Sequence, residues 1–571
     1  MPAPSLRDPR DKNLGAYYTE SRVAEALCRW AMRGTRGRLL DPAFGGGVFL
    51  EAAASRGATL GAWELCGVEV EPAAHGEAVA RGRAIGRPTG SSAGADFTTQ
   101  RLILADFFSL SATSLSSKGS QLFDAVVGNP PFIRFQRFAG EARALAAVRA
   151  NEAGMILPPL AGSWVAFVAH ATTFLRPGGR LAMVVPAELG HSPYARPLLE
   201  LLHEAFARCT FVTFRHSLFP HLDQETVLLL ADGFGDGAGR FTSLELEGPG
   251  ALDRALPCSG SSPLDPGGLI GGKTSLAHAR LEPAALELYE KLGCRDPGRH
   301  GRRQAVRLGE LALVASGYVT GANSHFHLTP QEAQAAGLPR EALVPAVFRS
   351  RALTGLRFDL SDWQVAGVAG WAGYLVQAAG QENDPAVAHF LERLRAAGVD
   401  RRYKTSSRSP WYRVGRVAVP PLILAGMGGQ TLPLVVNENQ VAVPNTFHAV
   451  APLTGVPLGQ AGNAGLTTAW LTSLASLSVE LEGHRLGGGM LKLDPGEALN
   501  VLLPSPGLVP KGFFERLESL FRAGDMDSAR NEADQVLLVD GLGLTTEEIS
   551  LLQCGAERLR SRRQRLRPAW Q

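Results

Sequence analysis

The first 240 residues of this 571-residue chain predict a doubly wound α/β domain. Short apolar runs alternate with segments of helical periodicity, and several of the runs end at an acidic residue or a glycine turn. This alternation is typical of a largely parallel sheet whose strands are joined by helices. The predicted strands are Arg38–Asp41, Cys66–Val70, Leu102–Ala105, Asp124–Gly128, Arg180–Pro186 and Thr226–Ala231. The predicted helices include Arg22–Met32, Val48–Ala54 and Ala73–Arg83.

A second domain is expected over residues 241–571, because a chain of this length exceeds what one hydrophobic core usually supports. The glycine-rich segment Gly233–Gly239 marks the change, and the residues after it are irregular in pattern and rich in Gly and Pro. Thr545 and Glu548 form a capping-box signature, which predicts a helix near the C-terminus. The second domain is therefore predicted to be mixed α+β with a helical end.

The composition excludes several classes of protein. No apolar run is long enough to span a membrane, and the N-terminus lacks the apolar core of a secretory signal, so we expect a cytoplasmic protein. None of the six cysteines forms a CxxC pair, and we expect neither a metal site nor a redox pair. The formal net charge is only +3, so contact with a nucleic acid would depend on local basic patches.

A glycine turn follows the first predicted strand, in the order Asp41, Pro42, Ala43, Phe44 and Gly45. Two more glycines and a predicted helix come next. Glycines allow a ligand to approach the backbone closely, and the first amides of a helix attract negative groups. A glycine turn in an α/β protein also occurs for purely structural reasons, so this motif alone does not identify a ligand.

Two further strand ends carry acidic residues, Glu69 and Asp106. A carboxylate at the position of Glu69 can accept both ribose hydroxyls of a nucleoside. Asp106 can accept a hydrogen bond from an adenine amino group, and the adjacent Phe107 can pack on the ring. No phosphate-binding loop is present, so an adenosine ligand without a pyrophosphate fits better than a dinucleotide. Each acid also has an ordinary interpretation as a solvated strand end.

The fourth predicted strand ends in Asn129, Pro130, Pro131 and Phe132. An aromatic amino group is a poor nucleophile, because its lone pair is delocalised into the ring. The Asn129 side-chain oxygen and the Pro130 carbonyl can accept its two hydrogens and localise that lone pair, while proline keeps the backbone rigid. Phe132 can stack on the ring. The pattern indicates methylation of a planar amino group by a sulfonium methyl donor, although a simple proline turn is the alternative.

In these motifs the chain resembles the N6-adenine DNA methyltransferases of the gamma order, and it is similar to the Taq-type and type IIG modification enzymes. The resemblance extends over residues 13–231. The segments that carry it, besides the motifs above, are Asn13–Thr19 (NLGAYYT), Ala161–Phe167 (AGSWVAF), Leu175–Pro186 (LRPGGRLAMVVP) and His216–Pro220 (HSLFP). Two departures are small: Asp41 stands where Glu is also common, and Phe132 replaces Tyr.

The resemblance implies a class I, Rossmann-like methyltransferase domain over residues 1–240 and a DNA target-recognition domain over residues 241–571. It implies S-adenosyl-L-methionine as cofactor and an adenine of double-stranded DNA as substrate, flipped out of the helix and stacked between Phe132 and Phe219. The residues it places at the cofactor are Thr19, Asp41, Pro42, Ala43, Gly45, Glu69, Asp106, Phe107 and Asn129. Thr19 can also serve as a helix cap, and Phe219 as a core residue.

One segment of the second domain, Arg401–Arg416, combines six basic residues with three aromatic residues and no acid. This composition predicts contact with DNA phosphates, although a solvated basic loop is the alternative. The predicted contacts are Arg401, Arg402, Lys404, Arg408, Arg413 and Arg416. Gly317–Phe326 and Arg485–Leu493 resemble parts of the family's recognition domains. The basic run Glu557–Arg567 is interpreted either as a contact with DNA or a partner, or as a solvated helix end.

Three other functions remain open from the sequence. The methyl acceptor could be cytosine N4, RNA or a protein glutamine, since the same chemistry serves any planar amino group. The chain could be a non-catalytic DNA-specificity subunit, although its complete motifs argue against a decayed site. A fused restriction enzyme is disfavoured, because the motifs begin near residue 13 and no nuclease cluster follows them. A separate restriction nuclease or a phage-defence protein remains a possible partner.

Overall fold

A computed structural model of the chain describes residues 19–85, 99–115, 122–215, 225–237, 239–255, 260–294 and 305–565. These residues form two compact units. The first extends to Arg280 and also takes in Arg565, and the second runs from Leu281 to Gln564. No helix in the described ranges is long and apolar enough to cross a membrane.

The first unit is built around a nine-stranded sheet with the order β3-β2-β1-β4-β5-β7-β6-β8-β9. Neighbouring strands are parallel, except that β7 is antiparallel to β5 and β6, and β9 is antiparallel to β8. The strands are β1 Arg36–Asp41, β2 Ala62–Glu69, β3 Thr99–Leu104, β4 Phe123–Gly128, β5 Leu175–Pro186, β6 Phe206–Phe214, β7 Thr226–Phe234, β8 Arg240–Leu246 and β9 Ser262–Leu264. The chain order reverses between β1 and β4, which is where open α/β sheets bind ligands.

Helices cover both faces of this sheet, because alternate strand residues are apolar on both sides. Leu39 and Ala125 pack into one hydrophobic cluster, while Leu40 and Val126 pack into the other. Burial of both faces is typical of parallel sheets. The helices are α1 Ser21–Ala31, α2 Val48–Leu60, α3 Pro72–Ile85, α4 Gly140–Glu152, α5 Ser163–Thr172, α6 Arg196–Ala205, α7 Leu252–Ala255 and α8 Pro266–Gly271.

The structure confirms the six predicted strands and the three predicted helices, with shifts of a few residues at their ends. Strand β6 was not predicted. The predicted domain boundary after residue 240 falls inside the first unit, because β8 and β9 extend its sheet.

The second unit is mixed α+β, as the sequence predicts, and its role in target recognition stays a prediction. A five-stranded sheet has the order β11-β19-β16-β18-β14, and two three-stranded sheets have the orders β12-β15-β13 and β17-β21-β20. The strands are β10 Val306–Arg307, β11 Ala312–Ser316, β12 His327–Leu328, β13 Leu343–Val347, β14 Arg357–Phe358, β15 Ala372–Val376, β16 Leu422–Ala425, β17 Met427–Gly428, β18 Leu434–Asn437, β19 Phe447–Pro452, β20 His484–Leu486, β21 Met490–Lys492 and β22 Leu502–Leu503.

The helices of the second unit are distributed along its length, and those from Phe513 onward form its C-terminal end. They are α9 Pro283–Gly293, α10 Asn323–Phe326, α11 Pro330–Ala335, α12 Leu360–Val368, α13 Pro385–Ala396, α14 Tyr403–Ser406, α15 Asn463–Leu471, α16 Ser473–Glu482, α17 Pro495–Ala498, α18 Phe513–Arg522, α19 Met526–Asp534 and α20 Thr546–Arg565. The predicted capping box begins α20. The Thr545 amide donates to the Glu548 carboxylate at 2.9 Å, and the Glu548 amide donates to the Thr545 hydroxyl at 3.2 Å.

Candidate functional site

The carboxyl ends of β1, β2 and β4 bring the predicted cofactor and catalytic segments to one edge of the sheet. β1 lies between β2 and β4 and runs parallel to both. Its last residue, Asp41, pairs with Gly67 of β2. On the other side, an ideal Cβ atom on Gly128 of β4 would lie 3.0 Å from Oδ1 of Asp41. Two motifs that are distant in sequence therefore converge, and glycine at position 128 leaves room for the Asp41 carboxyl group.

Asp41 is fully buried at the end of β1. Its Oδ1 atom accepts from the Ala43 amide at 3.2 Å, and its Oδ2 atom has no hydrogen-bond partner among the described residues. Burial raises the pKa of Asp41 to about 8; the Ala43 amide lowers this pKa and the charge of Glu69 raises it further. The neighbouring Pro42 is buried and Ala43 is half-buried. A cation beside Oδ2 would stabilise the carboxylate, so the position suits a positively charged ligand group.

The carboxylate of Glu69 fixes the glycine turn. Its Oε2 atom accepts from the Gly45 amide at 2.8 Å, and its Oε1 atom accepts from the Val70 and Glu71 amides, each at 2.8 Å. Gly45 and Gly47 have φ values of 49° and 83°, which favour glycine. Glu69 therefore orders the turn after β1, a structural role that the sequence motif did not reveal.

Asp106 and Phe107 lie where the sequence places them, after β3, but in different environments. The exposed Asp106 carboxylate accepts from the Phe108 amide at 3.0 Å, which caps a short helical turn. The Phe107 ring is buried, with its centroid 4.8 Å from that of Phe167 and 4.6 Å from that of His170. Phe107 thus supports the strand end from within the core, and its contact with an adenine ring stays a prediction.

The loop after β4 holds the four predicted catalytic residues. Nδ2 of Asn129 donates to the hydroxyl of Thr19 at 3.3 Å, which joins this loop to the residues before α1. Pro130 is buried, and the Phe132 ring is 8% exposed and packs into the core of the first unit. Only a small part of the Phe132 ring is therefore accessible to a second ring that is to stack on it. Phe219, the second predicted stacking residue, lies outside the described residues.

One residue that the sequence did not identify, Ser163 at the start of α5, contacts this loop. Its hydroxyl donates to the Pro131 carbonyl at 2.5 Å and accepts from the Ile133 amide at 3.0 Å. The only sequence signal was a serine at the beginning of a predicted family helix, a position that usually indicates a helix cap.

In the predicted DNA-binding segment of the second unit, one arginine is half-buried and bonds the protein backbone, whereas the other basic residues are exposed. Arg408 donates to the carbonyls of Thr320 and Val319 at 2.7 and 2.8 Å, so it ties the segment to the loop before α10. Nη2 of Arg402 lies 3.1 Å from Nε2 of His325 in α10. The exposed predicted contacts are Arg401, Arg402, Lys404, Arg413 and Arg416. The basic segment and Gly317–Phe326, which were identified separately, therefore form one surface.

The basic run near the C-terminus is partly used for contacts within the second unit, although Arg558 is exposed. Arg562 and Arg563 are buried. Arg563 forms an ion pair with the buried Glu480 at 2.9 Å and donates to the carbonyls of Gly429 and Gly489, each at 2.6 Å. These contacts join α20 to α16 and to the loops around β17 and β21, which explains the basic side chain structurally.

His484, Asp494 and Glu497 could geometrically hold a metal, since their ligand atoms lie within 4.8 Å of one another. Nδ1 of His484 is 2.9 Å from the Glu497 carboxylate, and Nζ of Lys492 is 2.8 Å from that of Asp494. These contacts between side chains of the protein explain why the three residues lie close together without a metal.

Two family models match the chain. The C-terminal domain of type II methyltransferase M.Eco57I matches residues 276–538, and the Eco57I restriction-modification methylase matches residues 93–219. Both segments are thus similar to Eco57I-type restriction-modification methylases. The methylase matches thus lie in both units.

Individual proteins that are similar to this chain are distant from it in sequence. The type II methyltransferase M.AccI of Acinetobacter calcoaceticus is 18% identical over 516 residues, which cover 90% of this chain and 89% of the relative. The type IIL restriction-modification enzyme MmeI, solved in complex with DNA, is 14% identical, with 97% of this chain and 80% of that chain covered and a TM-score of 0.56. This structural similarity shows a shared fold. The chain covers 64% of the type IIG restriction endonuclease BpuSI, at 13% identity and a TM-score of 0.40.

Proposed function

We propose that this protein transfers a methyl group from S-adenosyl-L-methionine to the N6 amino group of an adenine in double-stranded DNA. The observation that carries the proposal is the position of the Asn129–Phe132 loop directly beside Asp41, at the reversal of strand order. A donor and an acceptor of a methyl group must meet within a few ångströms, and the two strand ends provide adjacent places for them.

The residues present fit the proposed cofactor. The buried Oδ2 atom of Asp41, which lacks a partner among the described residues, suits the positive charge of the methionine part. Glu69 lies at the second strand end, where the ribose is expected, and Asp106 lies at the third, where the adenine is expected. We assign Thr19, Pro42, Ala43, Gly45, Phe107 and Asn129 to the surroundings of the same ligand. When bound, the cofactor supplies a methyl group on a sulfonium sulfur.

The chain's own contribution is to hold and activate the amino group. The Asn129 amide oxygen and the Pro130 carbonyl accept its two N–H groups, which localises the nitrogen lone pair and stabilises the positive charge that develops there. The neighbouring Pro131 carbonyl already accepts from Ser163, which favours Pro130 as the backbone acceptor. Phe132 stacks on the base, and Phe219 is proposed as the opposite wall.

The proposed substrate follows from the chemistry of the second unit and from the family. A base within a duplex cannot reach a loop of this kind without being flipped out, at a cost of roughly a few kcal/mol. The exposed cations of the segment Arg401–Arg416 suit DNA phosphates. The similarity to restriction-modification methylases supports a role in restriction-modification or phage defence, with a separate nuclease or defence protein as a candidate partner.

Methyl transfer from labelled cofactor tests this proposal directly. The protein is incubated with duplex DNA, with RNA and with protein extract, and the labelled products are digested and separated. We expect label in N6-methyladenine from duplex DNA. Label in N4-methylcytosine or in RNA would replace the proposed acceptor, and binding of DNA without any transfer would favour a non-catalytic specificity subunit.

A further inference from the structure

We propose that Ser163 is a positioning residue for methyl transfer, which holds the backbone on both sides of Phe132 in the geometry that the amino group requires. The proposal rests on the proposed function. Ser163 contacts neither the base nor the cofactor in this scheme; it acts through the loop.

Three hydrogen bonds connect Ser163 to the catalytic loop. Its hydroxyl donates to the Pro131 carbonyl at 2.5 Å and accepts from the Ile133 amide at 3.0 Å. Its own amide donates to the Ile133 carbonyl at 3.0 Å. The residue between the two anchored positions is Phe132, so the backbone that carries the stacking ring is fixed from both sides.

The start of α5 is shaped for this contact. An ideal Cβ atom on Gly162 would lie 2.9 Å from the Ile133 carbonyl oxygen, so a side chain there would displace the loop. Ser163 is 1% exposed, so water does not compete for its hydroxyl. An ordinary helix cap uses its side chain for the amides of its own helix, whereas the Ser163 hydroxyl bonds a different segment.

A side chain of α4 also holds the segment that leads into α5. Arg143 donates to the carbonyls of Pro158, Pro159 and Ala161 at 2.7, 2.8 and 2.9 Å, respectively. Its guanidinium carbon lies 5.5 Å from the centroid of the Phe138 ring, which follows the catalytic loop. The Arg143 side chain therefore contacts both the segment before Ser163 and the segment after the catalytic loop. These contacts help to hold Ser163 in place relative to the loop.

The contact with Ser163 affects which backbone carbonyl can accept a hydrogen bond from the amino group of the base. The Ser163 hydroxyl occupies the Pro131 carbonyl and holds that peptide, so the preceding Pro130 carbonyl keeps one direction. A misplacement of about 1 Å in such an acceptor can reduce a rate by about 100-fold. Loss of the hydroxyl should therefore slow the chemical step more than it weakens binding.

The test compares Ser163→Ala with Ser163→Thr, which keeps a hydroxyl. A matched control is Thr172→Val, because the hydroxyl of Thr172 is also buried on α5 but donates to the Ala169 carbonyl of its own helix, at 2.7 Å. We expect Ser163→Ala to lower the single-turnover rate about 10–100-fold, with the cofactor Kd and the DNA KM within about twofold of wild type. Ser163→Thr should recover most of the rate, and Thr172→Val should keep it.

A second readout does not depend on methyl transfer. The Ile133 amide should exchange its hydrogen faster in Ser163→Ala than in wild type, since that variant removes its acceptor, and Thr172→Val should leave its exchange unchanged. Unchanged Ile133 exchange would overturn the proposed contact, and an unchanged single-turnover rate would overturn its role in positioning. If the wild-type protein transfers no methyl group to DNA while the exchange changes as expected, the proposed function fails and the positioning role fails with it, but the contact stands.

Discussion

The side-chain amide nitrogen of Asn129 donates to the hydroxyl of Thr19 across 3.3 Å. Thr19 is buried and precedes the first helix, whereas Asn129 directly follows β4. An amide held through its nitrogen presents its oxygen in a defined direction. Thr19 thus orients the proposed catalytic amide, in addition to the cofactor role that the sequence predicts for it.

Replacing Thr19 by Val should therefore slow methyl transfer, because the amide of Asn129 loses its orienting acceptor. We expect a decrease of about tenfold in the single-turnover rate, less than for removal of an acceptor dipole itself. Thr19→Ser retains the hydroxyl and should stay near the wild-type rate. Equal rates for Thr19→Val and Thr19→Ser would contradict an orienting role.

Glu69→Ala and Asp106→Ala should both weaken cofactor binding, by about 1–3 kcal/mol each, as expected for charged hydrogen bonds. The two variants should differ in the thermal stability of the ligand-free protein. Glu69 accepts three backbone amides, so its removal should also lower the Tm without ligand, whereas the exposed Asp106 accepts one and should change the Tm little. Calorimetric titration and thermal unfolding give both quantities, with exposed Glu51→Ala as the control. Unchanged affinity in both variants would overturn the cofactor assignment.

Cofactor affinity should increase with pH because of Asp41. Burial raises the pKa of this carboxyl to about 8, above its unfolded value near 3.8, so the free protein holds it protonated at neutral pH. Its contribution to stability is therefore present at low pH and is lost as the pH rises toward 8. A cationic ligand favours the carboxylate and releases the proton. Affinity should thus rise by up to about tenfold per pH unit between pH 6 and 8 and then level off.

Asp41→Asn is the control for this pH dependence, since its amide does not titrate. Any titration of the ligand itself remains in the variant, so the difference between the two curves reports on Asp41. Parallel curves for the two proteins would show that no proton is released from Asp41 on binding.

Arg408 and Arg413 should behave differently, although both belong to the predicted DNA-binding segment. Arg408 donates to the Thr320 and Val319 carbonyls, so Arg408→Ala should lower the Tm. Arg413 is exposed, and Arg413→Ala should reduce the salt slope of DNA affinity by about one ion. Exposed Arg393→Ala on α13 serves as the control. If Arg413→Ala lowers affinity equally at every salt concentration, Arg413 does not contact a phosphate.

Local patterns were sufficient to predict the strand ends that carry the candidate site. Asp41, Glu69, Asp106 and Asn129 each follow an apolar run directly, and parallel strands place such residues at one edge of the sheet. Strand β6 was missed because α6 passes into it without a break, at Ala205 and Phe206. No turn residue marks that change.

Contacts between distant segments could not be predicted in the same way. The bonds from Ser163 to the loop after β4 depend on how α5 packs against it, and a lone serine does not reveal this. The basic pattern near the C-terminus indicated an exposed surface, but the partner that buries Arg563 is Glu480, in a helix far away in sequence. Charge patterns predict the sign of a surface, not whether a partner covers it.

Asn129 is proposed to act on the amino group of the base during methyl transfer, and the variant Asn129→Ala tests this role most directly. Rates are measured under single-turnover conditions with saturating DNA and cofactor, while cofactor binding, DNA binding and the fluorescence of a base analogue at the target report on the preceding steps. We predict nearly unchanged binding and base flipping, with methyl transfer slowed about 100–1000-fold by the loss of one acceptor dipole. Transfer by Asn129→Ala at the wild-type rate would contradict the proposed mechanism.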